Sequence, residues 1–203
     1  MGAVAGVSAA VHRLARRSGV TTEEARRPLP GDDLVAHPLW VSTRGTTIDA
    51  PPSAVWPWIA QMGYPTFRAG WYTPHWLDEL MWGKRPRSAD TIVPELQDLK
   101  VGDKVPDSAD FRMYYTVEEI DAPGHLVLRS TRHVVPPLRA VDFSWVFVLV
   151  PLPEERTRLL VRARVAYTPV WPFPLVEAVV GLGDYVNVTV MLRGIRSRAA
   201  TWR

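Results

Sequence analysis

The sequence predicts an α+β protein in which an antiparallel sheet packs against one long C-terminal helix. Two observations carry this prediction: polar and apolar residues alternate along consecutive segments, and the end of the chain has apolar residues at helical spacing. The alternating segments are 110–121, 125–133, 141–150 and 157–168, and the helix spans about 173–200. Since short turns join the segments, they form a meander with one buried face and one solvent face.

The composition fits one domain with a short N-terminal appendage. The chain has 203 residues, of which 47% are hydrophobic, enough for a sizeable core. It has no cysteine, which excludes a disulfide framework, a thiolate nucleophile and cysteine-based metal sites, and suits a reducing cytosol. The net charge of +3 is small, and the arginines gather at the two ends. We therefore expect a cytoplasmic protein that binds no nucleic acid.

Residues 1–39 are predicted to be a helical extension and connector, ahead of a domain over 40–203. Residues 3–18 have an apolar stripe opposite several arginines. Such a helix can dock on its own domain, on a partner or on an anionic membrane surface, and docking on its own domain is the simplest interpretation. Thr21 and Glu24 have the spacing of a capping box that starts a short second helix.

The first half of the domain is predicted to hold one strand and two short helices. Residues 40–50 are rich in β-branched residues and form the strand. The first helix opens at Pro51-Pro52 and closes at Gly63. Thr73 is expected to cap the second helix, with Pro74 at its first position. Residues 64–72 are a loop with a short strand, and 83–103 are irregular.

The C-terminal helix has apolar residues on two sides. Its main stripe is Leu175, Val179, Leu182, Val186 and Val190, and a second group is Val188, Met191, Leu192 and Ile195. A helix that is apolar on two sides is covered on two sides. The sheet covers one side, and the N-terminal helix or a second subunit in a homodimer covers the other. A curved sheet around this helix leaves an apolar space of the kind that binds small molecules.

Several segments resemble the START-related polyketide-cyclase superfamily (SRPBCC proteins). Thr47 to Trp58 is similar to the first strand and helix of that family, and the later similar segments are 70–72, 76–78, 92–103 and 191–195. The resemblance implies a helix-grip fold, in which about seven antiparallel strands wrap around the C-terminal helix over a hydrophobic cavity. Members bind lipids, sterols, polyketides, plant hormones or quinones, and some catalyse aromatase, cyclase or dehydratase steps. Their catalytic residues occupy no fixed motif positions, so none is transferred to this chain.

Two residues are candidates for catalysis. His75 lies three and four positions before Asp78 and Glu79 on a predicted helix, so the three can share one face. This arrangement offers acid–base chemistry, the beginning of a metal site, or plain surface polarity. Because the other histidines lack ligand spacing, we expect no metal, and nothing in the sequence calls for a cofactor. Arg132 is in phase with Leu126 and Leu128 and faces the cavity unless the strand ends before it.

Aromatic residues supply most of the ligand-binding candidates. Five of the nine tryptophans fall between Trp56 and Trp82, which indicates a pocket wall or a packed corner. A buried tyrosine hydroxyl needs a partner, which is a ligand oxygen, the backbone or water. The ligand-binding candidates are Trp71, Tyr72, Trp76, Tyr115, Arg132, Trp145 and Tyr185.

Three functions fit these observations. The first is a module that binds a hydrophobic or amphipathic small molecule such as a lipid or a polyketide. The second is a cyclase or dehydratase that uses the same cavity, with His75, Arg132 and a tyrosine moving protons and stabilising an oxyanion. The third is a protein that contacts a membrane or a partner through residues 1–18. We favour binding, with the polyketide enzyme as the alternative.

Overall fold

The computed structural model describes residues 16–133, 140–168 and 173–201, without the side chains of 81, 82, 140 and 173–180. The helices are α1 Thr22–Arg26, α2 Pro52–Ala60, α3 His75–Trp82 and α4 Phe173–Ala200, with a 3₁₀ turn at Pro94–Leu96. The strands are β1 Trp40–Ile48, β2 Lys104–Pro106, β3 Tyr114–Asp121, β4 His125–Ser130, β5 Ala140–Leu152 and β6 Arg156–Thr168. Most of the helix predicted over 3–18 lies outside the described residues.

The strands form one antiparallel sheet in the order β1-β6-β5-β4-β3-β2. β1 pairs with β6 along its whole length, from Trp40 opposite Val165 to Ile48 opposite Thr157. The chain therefore closes its first strand onto its last, and the C-terminal helix packs across one face. This confirms the helix-grip architecture, although the described residues contain six strands where about seven were expected.

Alternation along the strands decides which side chains form the core. We call the face that meets α4 the inner face. Trp145 lies opposite Ala163, and Phe147 lies opposite Val161, and all four belong to the main core cluster.

None of the helices in the described residues has an apolar run long enough to cross a membrane.

Two of the predicted strands are shorter than expected. β3 begins at Tyr114 because the preceding residues form a tight turn, in which the Ser108 hydroxyl donates to Asp110 and accepts from the Met113 amide. Phe111 in that turn has a φ of 60°, which no strand residue adopts. β4 ends at Ser130, whose hydroxyl turns to donate to the Tyr114 carbonyl at 2.6 Å. Side-chain hydrogen bonds therefore end both strands early.

The buried face of α4 is the second apolar group, not the stripe predicted as the main one. The residues that face the core are Val188, Met191, Leu192, Ile195 and Ala199. Leu182, from the predicted main stripe, is 59% exposed. The side chains of Leu175 and Val179 are among those that the structure does not describe. Gly194 sets this rotation, because it lies directly against the backbone of Tyr72.

The described part of the N-terminal segment packs on the outer face of the sheet. Arg158 donates to both carboxylate oxygens of Glu24, and Arg162 donates to Asp32 at 2.6 Å. Arg162 points away from the inner face as predicted. It is only 3% exposed, because residues 24–32 of the N-terminal segment cover it. The predicted capping box between Thr21 and Glu24 is present at the start of α1.

The start of α3 differs from the prediction. The helix begins at His75 with Pro74 as its N-cap residue, and no side chain caps it. The Thr73 hydroxyl instead donates to the Asp78 carboxylate at 2.5 Å in a buried position. Thr73 therefore fixes Asp78 on the first turn of the helix without capping its backbone.

Candidate functional site

Five rings pack together on the inner face of the sheet. Tyr115 comes from β3, Phe143 and Trp145 come from β5, His133 follows β4, and Trp71 follows α2. We call these residues the inner aromatic cluster. The ring centres of Trp71 and Trp145 are 5.3 Å apart, and Tyr115 lies 5.7 Å from Trp145 and 4.7 Å from His133. Edge-to-face and tilted contacts of this kind stabilise the packing of the rings beyond the apolar area that they bury.

The loop over residues 63–70 positions Trp71 in the inner aromatic cluster. Gly63 and Gly70 form a β-bridge at φ values of 140° and 87°. A Cβ at Gly70 would overlap Ser88, so this position requires glycine for space as well as for conformation. Arg68, inside the loop, donates to the carbonyls of Met62 and Ala60 at 2.6 and 2.5 Å. These hydrogen bonds hold the loop in place. Trp71 directly follows the loop and is 6% exposed.

The inner aromatic cluster holds unused hydrogen-bond donors. The indole nitrogens of Trp71 and Trp145 are buried and have no hydrogen-bond partner in the described part of the chain. Burial, with the Asp107 and Asp184 carboxylates, raises the pKa of Tyr115 well above its ordinary value, so the phenol keeps its proton. Trp40 and Trp58, outside the cluster, bury indole nitrogens in the same way. Buried donors without acceptors are costly, and a bound oxygen would satisfy them.

His133 joins a hydrogen-bonded chain at the edge of the cluster. Its Nε2 lies 2.8 Å from Asp107 Oδ2, and its Nδ1 lies 2.7 Å from Ser130 Oγ. The Ser130 hydroxyl is engaged as a donor to the Tyr114 carbonyl, so it is not poised as a nucleophile. Protein groups therefore occupy both ring nitrogens of His133, and the imidazole could exchange a proton with a ligand only after one of these hydrogen bonds opens. In the sequence His133 has no partner at motif spacing, since Asp107 lies 26 positions away.

A buried ion pair crosses from the sheet to α4. Arg44 on β1 is 1% exposed, and its Nη1 lies 2.6 Å from Asp184 Oδ2. Ser42 donates to the same carboxylate oxygen at 2.9 Å, and the Tyr185 ring lies 5.8 Å from the guanidinium. Sequence reasoning missed this pair. A signal existed, because Arg44 is in phase with Trp40 and Ile48 at the buried ends of β1.

His75 lies in a separate cavity on the flank of α4. The cavity has a volume of about 420 Å³, and we call it the flank cavity. Its lining includes Tyr72, His75, Arg87, Ser88, Arg193 and Arg198. His75 Nε2 faces Glu79 at 3.4 Å, whereas Asp78 is bound to Thr73. The predicted three-residue constellation is therefore divided, and the described residues contain no acidic and histidine cluster suited to a metal ion.

Three other predicted site residues lie apart from the inner aromatic cluster. Arg132 follows the end of β4 and is exposed, with its guanidinium 5.9 Å from the Tyr114 ring, so of the two alternatives for this residue the structure has the one in which the strand ends before it. Trp76 is 66% exposed. Tyr72 is buried, but its hydroxyl donates to the Trp58 carbonyl at 2.8 Å. Burial raises the pKa of Tyr72 as well.

The structure therefore sorts the predicted residues into four places. The inner aromatic cluster contains Trp71, Tyr115 and Trp145. Tyr185 lies beside the Arg44–Asp184 pair, and Tyr72 and His75 line the flank cavity. Arg132 and Trp76 are at the surface. The structure adds His133, Asp107 and Arg44 to the candidate site.

Comparisons with known proteins bear on the fold. No protein-family model and no curated protein matches the chain. A hypothetical protein from Helicobacter pylori aligns with a TM-score of 0.53 at 14% identity, over 88% of this chain and 98% of that one. Norcoclaurine synthase from Thalictrum flavum aligns at 0.48 and 12% identity, over 81% and 95% of the two chains. The di-domain aromatase/cyclase BexL of the BE-7585A pathway aligns at 0.47 and 14%, over 79% of this chain and 46% of that one.

These identities are low, so the likeness concerns the fold alone. The sheet order of this chain shows an α+β helix-grip architecture, and the Helicobacter pylori structure shares its fold. The fold that the sequence resemblance implied is therefore confirmed.

Proposed function

We propose that the protein binds a flat, hydrophobic small molecule that carries oxygen acceptors, at the inner aromatic cluster, where the inner face of the sheet packs against α4. The observation that supports this proposal is the buried indole N–H groups of Trp71 and Trp145, which have no hydrogen-bond partner among the described residues and lie within a group of aromatic rings. Aromatic walls favour flat apolar ligands, and a few fixed donors orient them. A polyketide-like or lipid-like molecule has both properties.

The polar groups around the inner aromatic cluster indicate which chemical type of ligand the proposal favours. Tyr115 is a protonated donor inside the cluster, and the Asp184 charge acts on its ionisation. The ligand that fits is amphipathic, with an apolar ring system against the tryptophans and oxygens toward the donors.

The test combines identification of the ligand with a matched pair of tryptophan variants. Native mass spectrometry of the purified protein is expected to show a co-purified small molecule. For the ligand so identified, or for a fluorescent apolar dye, Trp71→Phe is expected to weaken binding about tenfold, because one donor and part of the wall are lost. Trp76→Phe is the control and leaves affinity unchanged, since Trp76 is 66% exposed. Equal affinity of a folded Trp71→Phe protein would contradict the proposal.

The alternative function is cyclisation or dehydration of a polyketide-like substrate in the same space. One observation favours it: the His133–Asp107 pair, at 2.8 Å, lies against the Tyr115 ring. A histidine held by a carboxylate can exchange protons with a substrate, and here that requires the hydrogen bond from Nδ1 to Ser130 to open.

This alternative has its own test. His133→Gln keeps a hydrogen-bonding side chain but loses the ability to exchange protons. If the protein is an enzyme, the variant binds the ligand and turns over a polyketide-like substrate about 100-fold more slowly. Unchanged turnover would remove His133 from the mechanism. Binding without turnover in the wild-type protein would leave the binding function standing alone.

A further inference from the structure

The flank cavity is rich in positive charge. Three arginines line it, Arg87, Arg193 and Arg198, together with one carboxylate, Asp90. Arg198 already pairs with Asp90 at 2.7 Å. Among the residues that the structure describes, no carboxylate lies within ion-pair distance of Arg87 or Arg193. The cavity therefore carries two guanidinium groups whose charge the protein does not neutralise.

The walls of the flank cavity are held by specific bonds. Tyr72 adopts a φ of 59°, an unusual conformation for a bulky residue, and its amide donates to Ser88 Oγ at 3.0 Å. Arg198 donates to the carbonyls of Ala89 and Gly194, at 2.9 and 3.3 Å, and so ties the segment before β2 to α4. The concave shape is therefore part of the fold.

His75 contributes a further polar atom to this place. It lines the cavity, and its Nδ1 is buried without a hydrogen-bond partner in the described residues. Its Nε2 is directed toward Glu79. The lining of the flank cavity therefore includes an imidazole ring, with its Nδ1 covered, in addition to the arginine side chains.

We propose that the flank cavity is a binding site for a small oxyanion, the phosphate or carboxylate group of a metabolite, held by Arg87 and Arg193. Guanidinium groups pair with such anions through two parallel charge-assisted hydrogen bonds. The volume of about 420 Å³ leaves room for an organic body beside the anion. The lining of this site shares no residue with the inner aromatic cluster, and the site is independent of the proposed function.

The experiment uses inorganic phosphate and citrate, which have no ring to enter the inner aromatic cluster. Binding is measured at constant ionic strength by calorimetry and by the Nε–H resonances of the arginine side chains. Saturable binding with shifts at Arg87 and Arg193 is expected for at least one of the two probes, and the stronger probe identifies phosphate or carboxylate as the group recognised. Arg87→Gln and Arg193→Gln are each expected to weaken binding about tenfold, and the double variant to abolish it.

Arg196→Gln is the matched control. It removes the same charge from the same helix, but Arg196 is outside the cavity lining and lies 3.7 Å from Asp49. Its affinity is expected to stay within twofold of the wild type. Equal weakening by Arg193→Gln and Arg196→Gln would show nonspecific attraction and overturn the proposal. The proposal also fails if neither probe binds at millimolar concentration, or if the folded double variant still binds.

Discussion

At the scale of single residues, the Arg44–Asp184 pair is the most demanding feature of the core. Arg44 is 1% exposed, and Asp184 is the carboxylate that faces it. A buried charge without a counter-charge is strongly unfavourable, whereas a matched pair is tolerated. Ser42 adds a hydrogen bond to the same oxygen and holds the carboxylate in place. The pair thereby links β1 to α4 through charge as well as through apolar contact.

This geometry predicts a large and non-additive effect of mutation. Asp184→Ala removes the carboxylate that lies 2.6 Å from the Arg44 guanidinium and should lower the free energy of unfolding by about 3 kcal/mol. The double variant Arg44→Met/Asp184→Ala should lose less than the sum of the two single losses. Urea unfolding of the four proteins measures both quantities. Strict additivity would show that the two side chains do not stabilise each other.

At the scale of elements, the contact between α4 and the Tyr72 segment sets the rotation of the helix. A Cβ at Gly194 would overlap the carbonyl oxygen of Tyr72, so no larger residue fits while the helix stays in place. A Cβ at Gly183 on the same helix would meet nothing within 4 Å. Close packing against Tyr72 therefore requires glycine at position 194, whereas position 183 has room for a side chain.

The two positions predict opposite outcomes for the same substitution. Gly194→Ala should lower the free energy of unfolding by about 1–3 kcal/mol, because the helix must shift to admit the methyl group. Gly183→Ala should raise it by about 0.5–1 kcal/mol, because alanine favours the helix. Thermal and urea unfolding test both variants. A stabilising Gly194→Ala would mean that α4 does not pack closely on Tyr72.

At the scale of the whole molecule, the sheet is covered on both faces. α4 covers the inner face, and the connector before β1 covers part of the outer face. Three arginines on β6 bind the N-terminal segment over residues 24–35 through its carboxylates and carbonyls. They are Arg158, Arg162 and Arg164. Hydrogen bonding from Arg158 lowers the pKa of Glu24, although partial burial opposes it. Docking of the connector is therefore linked to the ionisation of Glu24.

The sign of this linkage predicts an acid-sensitive contact. A carboxyl whose folded-state pKa is lowered stabilises the fold above its ordinary value of 4.5 and loses that contribution as the pH falls through the folded-state pKa. Glu24→Gln should therefore unfold at a lower temperature than the wild type at pH 7. The gap should close as the pH is lowered toward 3. The exposed neighbour Glu23 is the control, and Glu23→Gln should show a smaller gap at pH 7.

Local patterns predicted the main elements because each pattern depends on neighbouring residues. Alternation placed Trp145 and Phe147 on the buried face of β5, and the capping-box spacing of Thr21 and Glu24 located the start of α1. Strand ends were less predictable. The sequence left open whether β4 reaches Arg132, and a hydrogen bond from Ser130 to the Tyr114 carbonyl ends the strand before it. That bond is between strands, so no pattern within β4 reveals it.

The sequence by itself determined the fold class and the long C-terminal helix, and it singled out three of the five rings of the inner aromatic cluster, Trp71, Tyr115 and Trp145. Only the tertiary structure decided which polar groups meet. Arg44 and Asp184 are 140 positions apart, and His133 and Asp107 are 26 apart, yet each pair lies within hydrogen-bond distance. It also showed that the face of α4 carrying Met191 is buried, whereas Leu182 is exposed. The reason is physical: periodicity follows from backbone geometry within one element, whereas partners and helix rotation follow from packing between elements distant along the chain.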